Sequence, residues 1–415
     1  MRRIIVVGAG QAGLQLALAL QQHGYDVTVA TERTPEEIRG GRVLSNQCMF
    51  APALRHEREL GLNFWDEETP WVTGIAFAAA GAPGARAPAI AWRSALDHKA
   101  QSVDQRLKMS FWLEEFARRG GAVQVRRVGP ADLEEYARTF ELVLVAAGRG
   151  PLAGLFARDD ERSPYREPQR VICLVCVVPD GPGPLGVYPG VTFGLAPGVG
   201  EYFALPVLSA RGPMYGMYFS GLPGGPLDCW GRLEGPEAFF EQARTIVRTY
   251  LPWEAEAIEN KRVASPHDTL LGRVTPTVRH AVGRLPSGAR VLAMGDTAVT
   301  NDPIAGQGSN LASHCSAAYL QAIVEHGDRP YDEAFMQTCF DRFWGHARHA
   351  TRFSNDLLAP PPPHVLETLT TAQSVPEVAH RFAELFNDPS DYGAWLTDRD
   401  RTAQYLREAK ARATA

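Results

Sequence analysis

Two glycine-bearing segments carry the chemistry of this 415-residue chain. The first reads Gly8-Ala-Gly10-Gln-Ala12-Gly13, between a short apolar run and a helix-forming stretch. In such a turn Gly8 permits the reversal, Gly10 lets backbone approach a pyrophosphate, and Gly13 allows helix and strand to pack closely. The helix then presents unpaired N–H groups and the positive end of its dipole to the phosphates. Glu32, followed by Arg33, stands nineteen residues beyond Gly13, just past a second strand-like run. A carboxylate there accepts hydrogen bonds from both ribose hydroxyls and repels a 2′-phosphate, so the pattern favours FAD or NAD over NADP.

The second segment is Gly295-Asp296, continuing through Asp302-Pro303-Ile-Ala-Gly306-Gln307-Gly308-Ser-Asn310. A strand ending at Gly295 places Asp296 where it can bond a ribityl hydroxyl. The loop Pro303–Gly308 can run close beneath a flat ring. A helix starting near Asn310 would aim its N–H groups at the ring's N1/O2 edge, which is negative in reduced flavin. Alone, this segment also fits a glycine-rich loop before an ordinary helix.

The elements that must hold these residues follow from apolar patterning. Residues 3–7 and 25–30 read as buried parallel strands around a helix at 14–23, a βαβ unit. Residues 104–119 read as an amphipathic helix stopped by Gly120-Gly121. The runs 141–147, ending at Gly148, and 290–294, ending at Gly295, repeat the strand-to-glycine pattern. One parallel sheet assembled from distant parts of the chain is expected. Residues 69–96 and 179–226 interleave aromatic and β-branched runs with Pro and Gly, which predicts an antiparallel sheet. Residues 311–326, 331–350, 364–386 and 399–412 read as helical, with a rigid break at Pro360–Pro363.

Composition narrows the classes. Apolar residues are 45% and charged residues 21%, the balance of a globular protein. A net charge of −5 argues against nucleic acid as partner. No apolar run approaches the roughly 20 residues that span a bilayer. Met1-Arg2-Arg3 before an apolar run imitates a signal peptide, but the glycines at 8, 10 and 13 fit a strand-turn-helix better. The six cysteines show no disulfide framework, which points to a reducing, cytoplasmic setting. Cys173 and Cys176, three apart on a strand, face opposite sides and make no metal pair. His346 and His349 read as part of a basic helix face, so no metal is expected.

The two fingerprints together resemble the FAD-dependent aromatic-hydroxylase class, and within it the styrene and indole monooxygenase family. The resemblance is carried by Gly8–Leu14, Val27–Arg33 with Pro35-Glu36-Glu37, Gly41–Leu44, Asp104–Leu107, Ser163–Arg170 and Gly295–Asn310. It implies an α/β fold: a Rossmann-like FAD-binding domain with an inserted antiparallel-sheet substrate domain and a helical C-terminal region. The boundaries read as 1–68, 97–170 and 286–328 for FAD, 69–96 and 171–285 for the sheet domain, and 329–415 for the helices. It further implies FAD contacts from Arg42, Arg106 and Gly148, beside Gly8, Gly10, Ala12, Gly13, Glu32, Arg33, Gly295, Asp296 and the 303–310 loop.

By the same resemblance, Leu44, Ser45 and Asn46 reach the substrate, and Asn46, Pro303 and Gly306 support the chemistry. Reduced FAD is supplied by a separate NAD(P)H-dependent flavin reductase and takes up O2 as a C4a-hydroperoxide. Its outer oxygen epoxidises an electron-rich C=C bond of a small aromatic or indole-like substrate. The run Ala146-Ala147-Gly148-Arg149-Gly150 lacks the Asp-Gly of self-sufficient hydroxylases, which suits the two-component arrangement. A self-sufficient NAD(P)H-dependent hydroxylase, or a non-oxygenating reductase or cyclase on the same fold, stays open, as does a homodimer. Residues 47–95 match the family poorly. If Ala78–Ala91 lines the pocket, a substrate larger than styrene is expected.

Overall fold

The computed structural model describes residues 2–45 and 47–414. Two sheets organise the chain. The first has six strands in the order Val282–Arg284, Arg290–Ala293, Leu142–Val145, Arg3–Val7, Asp26–Thr31 and Ala122–Val125. All pairings are parallel except the edge pair Val282–Arg284 with Arg290–Ala293. Arg3–Val7 sits at its centre because Ile4, Ile5, Val6 and Val7 are apolar on both faces and are covered on both. Strand Val282–Arg284 belongs here although it lies inside the stretch assigned above to the sheet domain.

Helix Gln11–Gln22 follows the glycine turn, and every residue from Gln11 to Leu20 is buried. Two glutamine side chains are therefore carried into the interior, where they need hydrogen-bond partners.

The second sheet has eight strands, running Lys261–Val263, Val171–Pro179, Gly212–Gly221, Gly200–Ser209, Val191–Ala196, Val72–Ala80 and Pro88–Ala100, with Thr269–Arg273 also on Val171–Pro179. It is antiparallel save for one parallel contact, Val72–Ala80 with Val191–Ala196. Alternation divides its faces. Cys173, Val175, Val177 and Phe219 pack with Trp230 beneath helix Pro236–Tyr250. Ile172, Leu174, Cys176 and Phe203 look the other way, toward Phe353, Phe382 and Phe386. The two thiols therefore lie on opposite faces.

The helices at 363–414 cover part of that second face. The expected helical stretch 364–386 is two helices, Pro363–Thr371 and Pro376–Glu384, because Pro376 cannot continue a helix but can begin one. Strand Pro88–Ala100, the partner of the Ala-rich strand Val72–Ala80, packs against helix Pro376–Glu384, with Trp92 edge-on to Phe382 at 5.7 Å. Among the described residues no helix is long and apolar enough to cross a membrane.

Three helices meet at a cluster of imidazoles, His56 edge-on to His314 and His346 tilted against it. His314 Nδ1 lies 3.1 Å from His56 Nε2, and the His314 and His346 rings are 3.8 Å apart. Burial pushes the His314 pKa well down, and His346, His56 and Arg55 add to the effect. His346 and His56 are lowered too, again first by burial, with Asp388 and Glu59 opposing. A base whose folded pKa is depressed stabilises the fold fully above its unfolded pKa, near 6.5, and loses that contribution as pH falls below it. Urea unfolding at pH 7 and pH 5 checks this. His314→Gln is expected to lose less stability over that interval than the parent, by up to about 1.4 kcal/mol per pH unit for each proton removed.

Candidate active site

Backbone crowding sets the first fingerprint. Gly8 has φ +120, and a Cβ there would sit 2.2 Å from the Ala146 carbonyl oxygen. A Cβ on Gly13 would meet the Gly8 carbonyl at 2.3 Å. Both positions need glycine for packing within the protein. Gly10 is different, since a Cβ there would touch nothing within 4 Å. Its missing side chain opens a space beside the helix N-terminus rather than relieving a clash.

The second fingerprint meets the first directly. Gly295 has φ +57, and a Cβ there would lie 2.9 Å from the Ala12 side chain. Thr297 Oγ1 donates to the Gly148 carbonyl at 3.1 Å, tying in the third strand end. The two segments border one cavity of about 1290 Å³. That exceeds the ~300–1,000 Å³ typical of a drug-sized ligand's site.

Gly8, Gly10, Ala12, Gly13, Glu32 and Arg33 line this cavity with Gly148, Gly295, Asp296, Pro303, Gly306 and Gly308. Leu44 and Ser45 line it as well, whereas Asn46 lies outside the described residues. Arg127 Nε approaches Glu32 to 3.7 Å on the surface. The Asp296 carboxylate opens to the cavity yet is ringed by protein, and that poorly polarisable surround raises its pKa against the pull of Arg149 and Arg279. Helix Gly308–His326 begins at the cavity wall, two residues earlier than the sequence suggests, so its first N–H groups are free to face a ligand.

Four residues expected at the cofactor stand off the cavity wall, and each has partners that explain it. Arg106 is buried in a charge cluster, with Nη2 2.6 Å from Asp104 and 2.9 Å from Asp268. Arg42 donates to the Thr269 carbonyl at 3.2 Å. Gln307 donates to the Phe386 carbonyl at 2.8 Å. Asn310 accepts from the Phe50 N–H at 2.8 Å and donates to the Cys48 carbonyl at 2.8 Å and to that of Gly306 at 3.0 Å. Asn310 thereby fastens the 47–50 segment to the glycine loop.

The cavity's other wall comes from the expected substrate sheet, in residues that the sequence alone does not single out. Ile172, Leu174, Val191, Phe203, Leu205 and Tyr218 project from the eight-stranded sheet, and Phe386 closes one side. The spacing of two in Ile172/Leu174 and Phe203/Leu205 is the signal that could have found them. Cys48 and Phe50 also contribute, but nothing from 51–95 does, so the Ala78–Ala91 stretch does not enlarge the site. Burial pushes the Cys48 thiol up to about 12.

Open space beside Gly10, two acids, Glu32 and Asp296, on the cleft wall and a helix N-terminus beside a glycine loop fit FAD. A Rossmann-type FAD cleft roofed by a second sheet defines a flavoprotein of the aromatic-hydroxylase type. Solved structures share the fold. A flavoprotein/dehydrogenase from Cytophaga hutchinsonii superposes with TM-score 0.67 at 12% identity, covering 99% of this chain and 98% of its own. The flavin-dependent brominase Bmp2 gives 0.65 at 12% identity, covering 98% and 99%. 2-Methyl-3-hydroxypyridine-5-carboxylic acid oxygenase gives 0.59 at 15%, covering 86% and 90%.

Residues 2–79 match the pyridine nucleotide-disulphide oxidoreductase family. Residues 148–257 match the family described as "Styrene monooxygenase A putative substrate binding domain". Styrene monooxygenase StyA of Pseudomonas fluorescens is 30% identical over 98% of both chains, and StyA of a Pseudomonas species 29% over 97% of both. The chain belongs to the styrene monooxygenase family and is an FAD-dependent monooxygenase.

Two measurements probe the cleft. Gly10→Ala adds only a Cβ that meets no protein atom within 4 Å, so the apoprotein should melt within a few degrees of the parent, while the Kd for FAD rises at least about tenfold as the new methyl group enters the gap. Thermal melts and fluorescence titration report the two halves. Asp302, beside Pro303, accepts from the Ile304 N–H through Oδ1 at 3.0 Å, and its Oδ2 has no donor among the described residues. Burial pushes this carboxyl up to about 6, against Ile304 and Arg170 and with Glu201. A raised carboxyl pKa stabilises the fold in acid and costs stability as pH rises from about 4 through about 6. Asp302→Asn never ionises, so between pH 4.5 and 7 the parent apoprotein should lose about 2 kcal/mol relative to it in urea unfolding.

Proposed function

We propose that the chain is the oxygenase of a two-component system, taking reduced FAD from a separate NAD(P)H-dependent flavin reductase and epoxidising a small aromatic or indole-like alkene. The observation that carries this reading is the continuity of the cavity, from the glycine turn at residues 8–13 to an apolar chamber under the eight-stranded sheet. Reduced FAD, when bound with O2, supplies the transferable oxygen.

The chain's own residues bind, orient and dry the site. Helix Gln11–Gln22 meets the pyrophosphate at Gly10, Glu32 takes the ribose, and Asp296 takes the ribityl chain. The 303–308 backbone and the N-terminus of helix Gly308–His326 favour the negative N1/O2 edge of reduced flavin. Ile172, Leu174, Val191, Phe203 and Leu205 bring no charge to the chamber, which suits an uncharged alkene and keeps out water that would divert the oxygen.

The test supplies chemically reduced FAD, oxygenated buffer and styrene or indole, with no NAD(P)H. Styrene oxide or an oxidised indole product is expected by chromatography, and NADH with a flavin reductase should sustain turnover. NADH oxidation by the chain alone would establish the self-sufficient hydroxylase instead. Flavin reoxidation without any oxygenated product would place the chain among non-oxygenating flavoproteins.

A further inference from the structure

Behind the phosphate-facing turn lies a buried polar network of which only Gln11 borders the cavity. Glu57 of helix Ala51–Glu59 and Lys108 of helix Gln105–Arg118 are fully buried and ion-paired. Lys108 also rides over the Trp112 ring at 4.8 Å. Gln11 Nε2 donates to Glu57 Oε1 and to Gln15 Oε1, each at 2.9 Å. Gln15 Nε2 donates to Ser313 Oγ at 3.0 Å, and Ser313 Oγ donates to the Ala53 carbonyl at 3.0 Å. An unbroken polar chain thus runs from Lys108 through Glu57, Gln11 and Gln15 to Ser313.

The ends of this chain are telling. Gln11 lies inside the glycine turn and on the cavity wall. Ser313 lies a little over one turn into helix Gly308–His326, whose first residues border the same cavity. On the FAD placement proposed above, the network bridges the two elements that meet opposite halves of the cofactor. It is also an expensive way to fill an interior. A buried ion pair must overcome the desolvation of both ions, and apolar replacements of similar volume are often neutral or stabilising. Among the described residues, Glu57 Oε2 and Gln11 Oε1 have no donor. Burial drives the Lys108 ammonium toward neutrality, and Glu57 opposes this. Stability alone is a poor reason to keep such an arrangement.

We propose that Glu57 and Lys108 are positioning residues for FAD, which through Gln11, Gln15 and Ser313 hold the phosphate turn and the flavin-facing helix at one preset spacing. Neither touches the cofactor. Their contribution is preorganisation, so that a ligand spanning both halves need not order the gap when it binds.

A ligand that fills one half does not sense the spacing, whereas a ligand that spans both does. The test uses Glu57→Gln/Lys108→Met in the full chain. It measures the apoprotein melting temperature and the Kd for ADP, riboflavin and FAD by calorimetry. The variant is expected to melt within a few degrees of the parent and to bind ADP and riboflavin within about threefold of it. FAD should bind at least about tenfold more weakly. Unchanged FAD affinity in the folded variant would overturn the proposal, as would an equal loss for ADP, which marks a purely local support of the turn. If the double variant does not fold, Ser313→Ala cuts the far end of the chain. A loss of FAD affinity larger than that for ADP or riboflavin supports the proposal, and parallel or absent changes overturn it. A parent chain that binds no FAD would instead fail the cofactor assignment.

Discussion

Backbone passes against backbone at the carboxyl edge of the six-stranded sheet, and the rest of the molecule is arranged around that contact. Gly8 slips beneath the Ala146 carbonyl where no methyl group fits, and Gly295 admits the Ala12 side chain where a Cβ would collide. These close approaches bring together three strand ends from residues 7, 145 and 293, separated by more than a hundred residues at each step. Glycine at these points is a steric requirement of assembly. Glycine at position 10 leaves room for a ligand.

The second sheet gives the cleft its depth. Its strands alternate between a face sealed by helix Pro236–Tyr250 and a face that supplies the chamber. Because the chamber side is also braced by the C-terminal helices, residues as remote as Ile172 and Phe386 become neighbours across one cavity. The buried Arg170–Glu201 pair, with both contacts at 2.8 Å, pins the start of this sheet, and Arg170 reaches the Leu358 carbonyl at 3.1 Å.

The glycine segments were legible because each combines steric need with a fixed place at a strand end, so spacing alone exposes them. Central strands were legible because burial on both faces leaves unbroken apolar runs. What escaped was decided by partners far along the chain. Nothing near Arg106 announces that Asp268 will claim it, and nothing near Asn310 announces Phe50 and Cys48. The parallel contact between Val72–Ala80 and Val191–Ala196 was hidden for the same reason, since pairing direction depends on how a long connection returns. The chamber residues were partly readable from their period of two, but which face becomes a cavity depends on helices more than a hundred residues away.

The six cysteines of this chain are all free, and one of them, Cys48, stands at the wall of the flavin cleft. Oxidants attack the thiolate far faster than the thiol. Apolar surroundings keep Cys48 protonated, and Cys315 behind the Gly295 turn is held up to about 12 in the same way. Any oxidant formed in the cleft would thus meet these thiols only in their unreactive form, so the packing that shapes the cleft also protects its cysteines, while the thioethers of Met109 and Met294 on the same wall lack that protection.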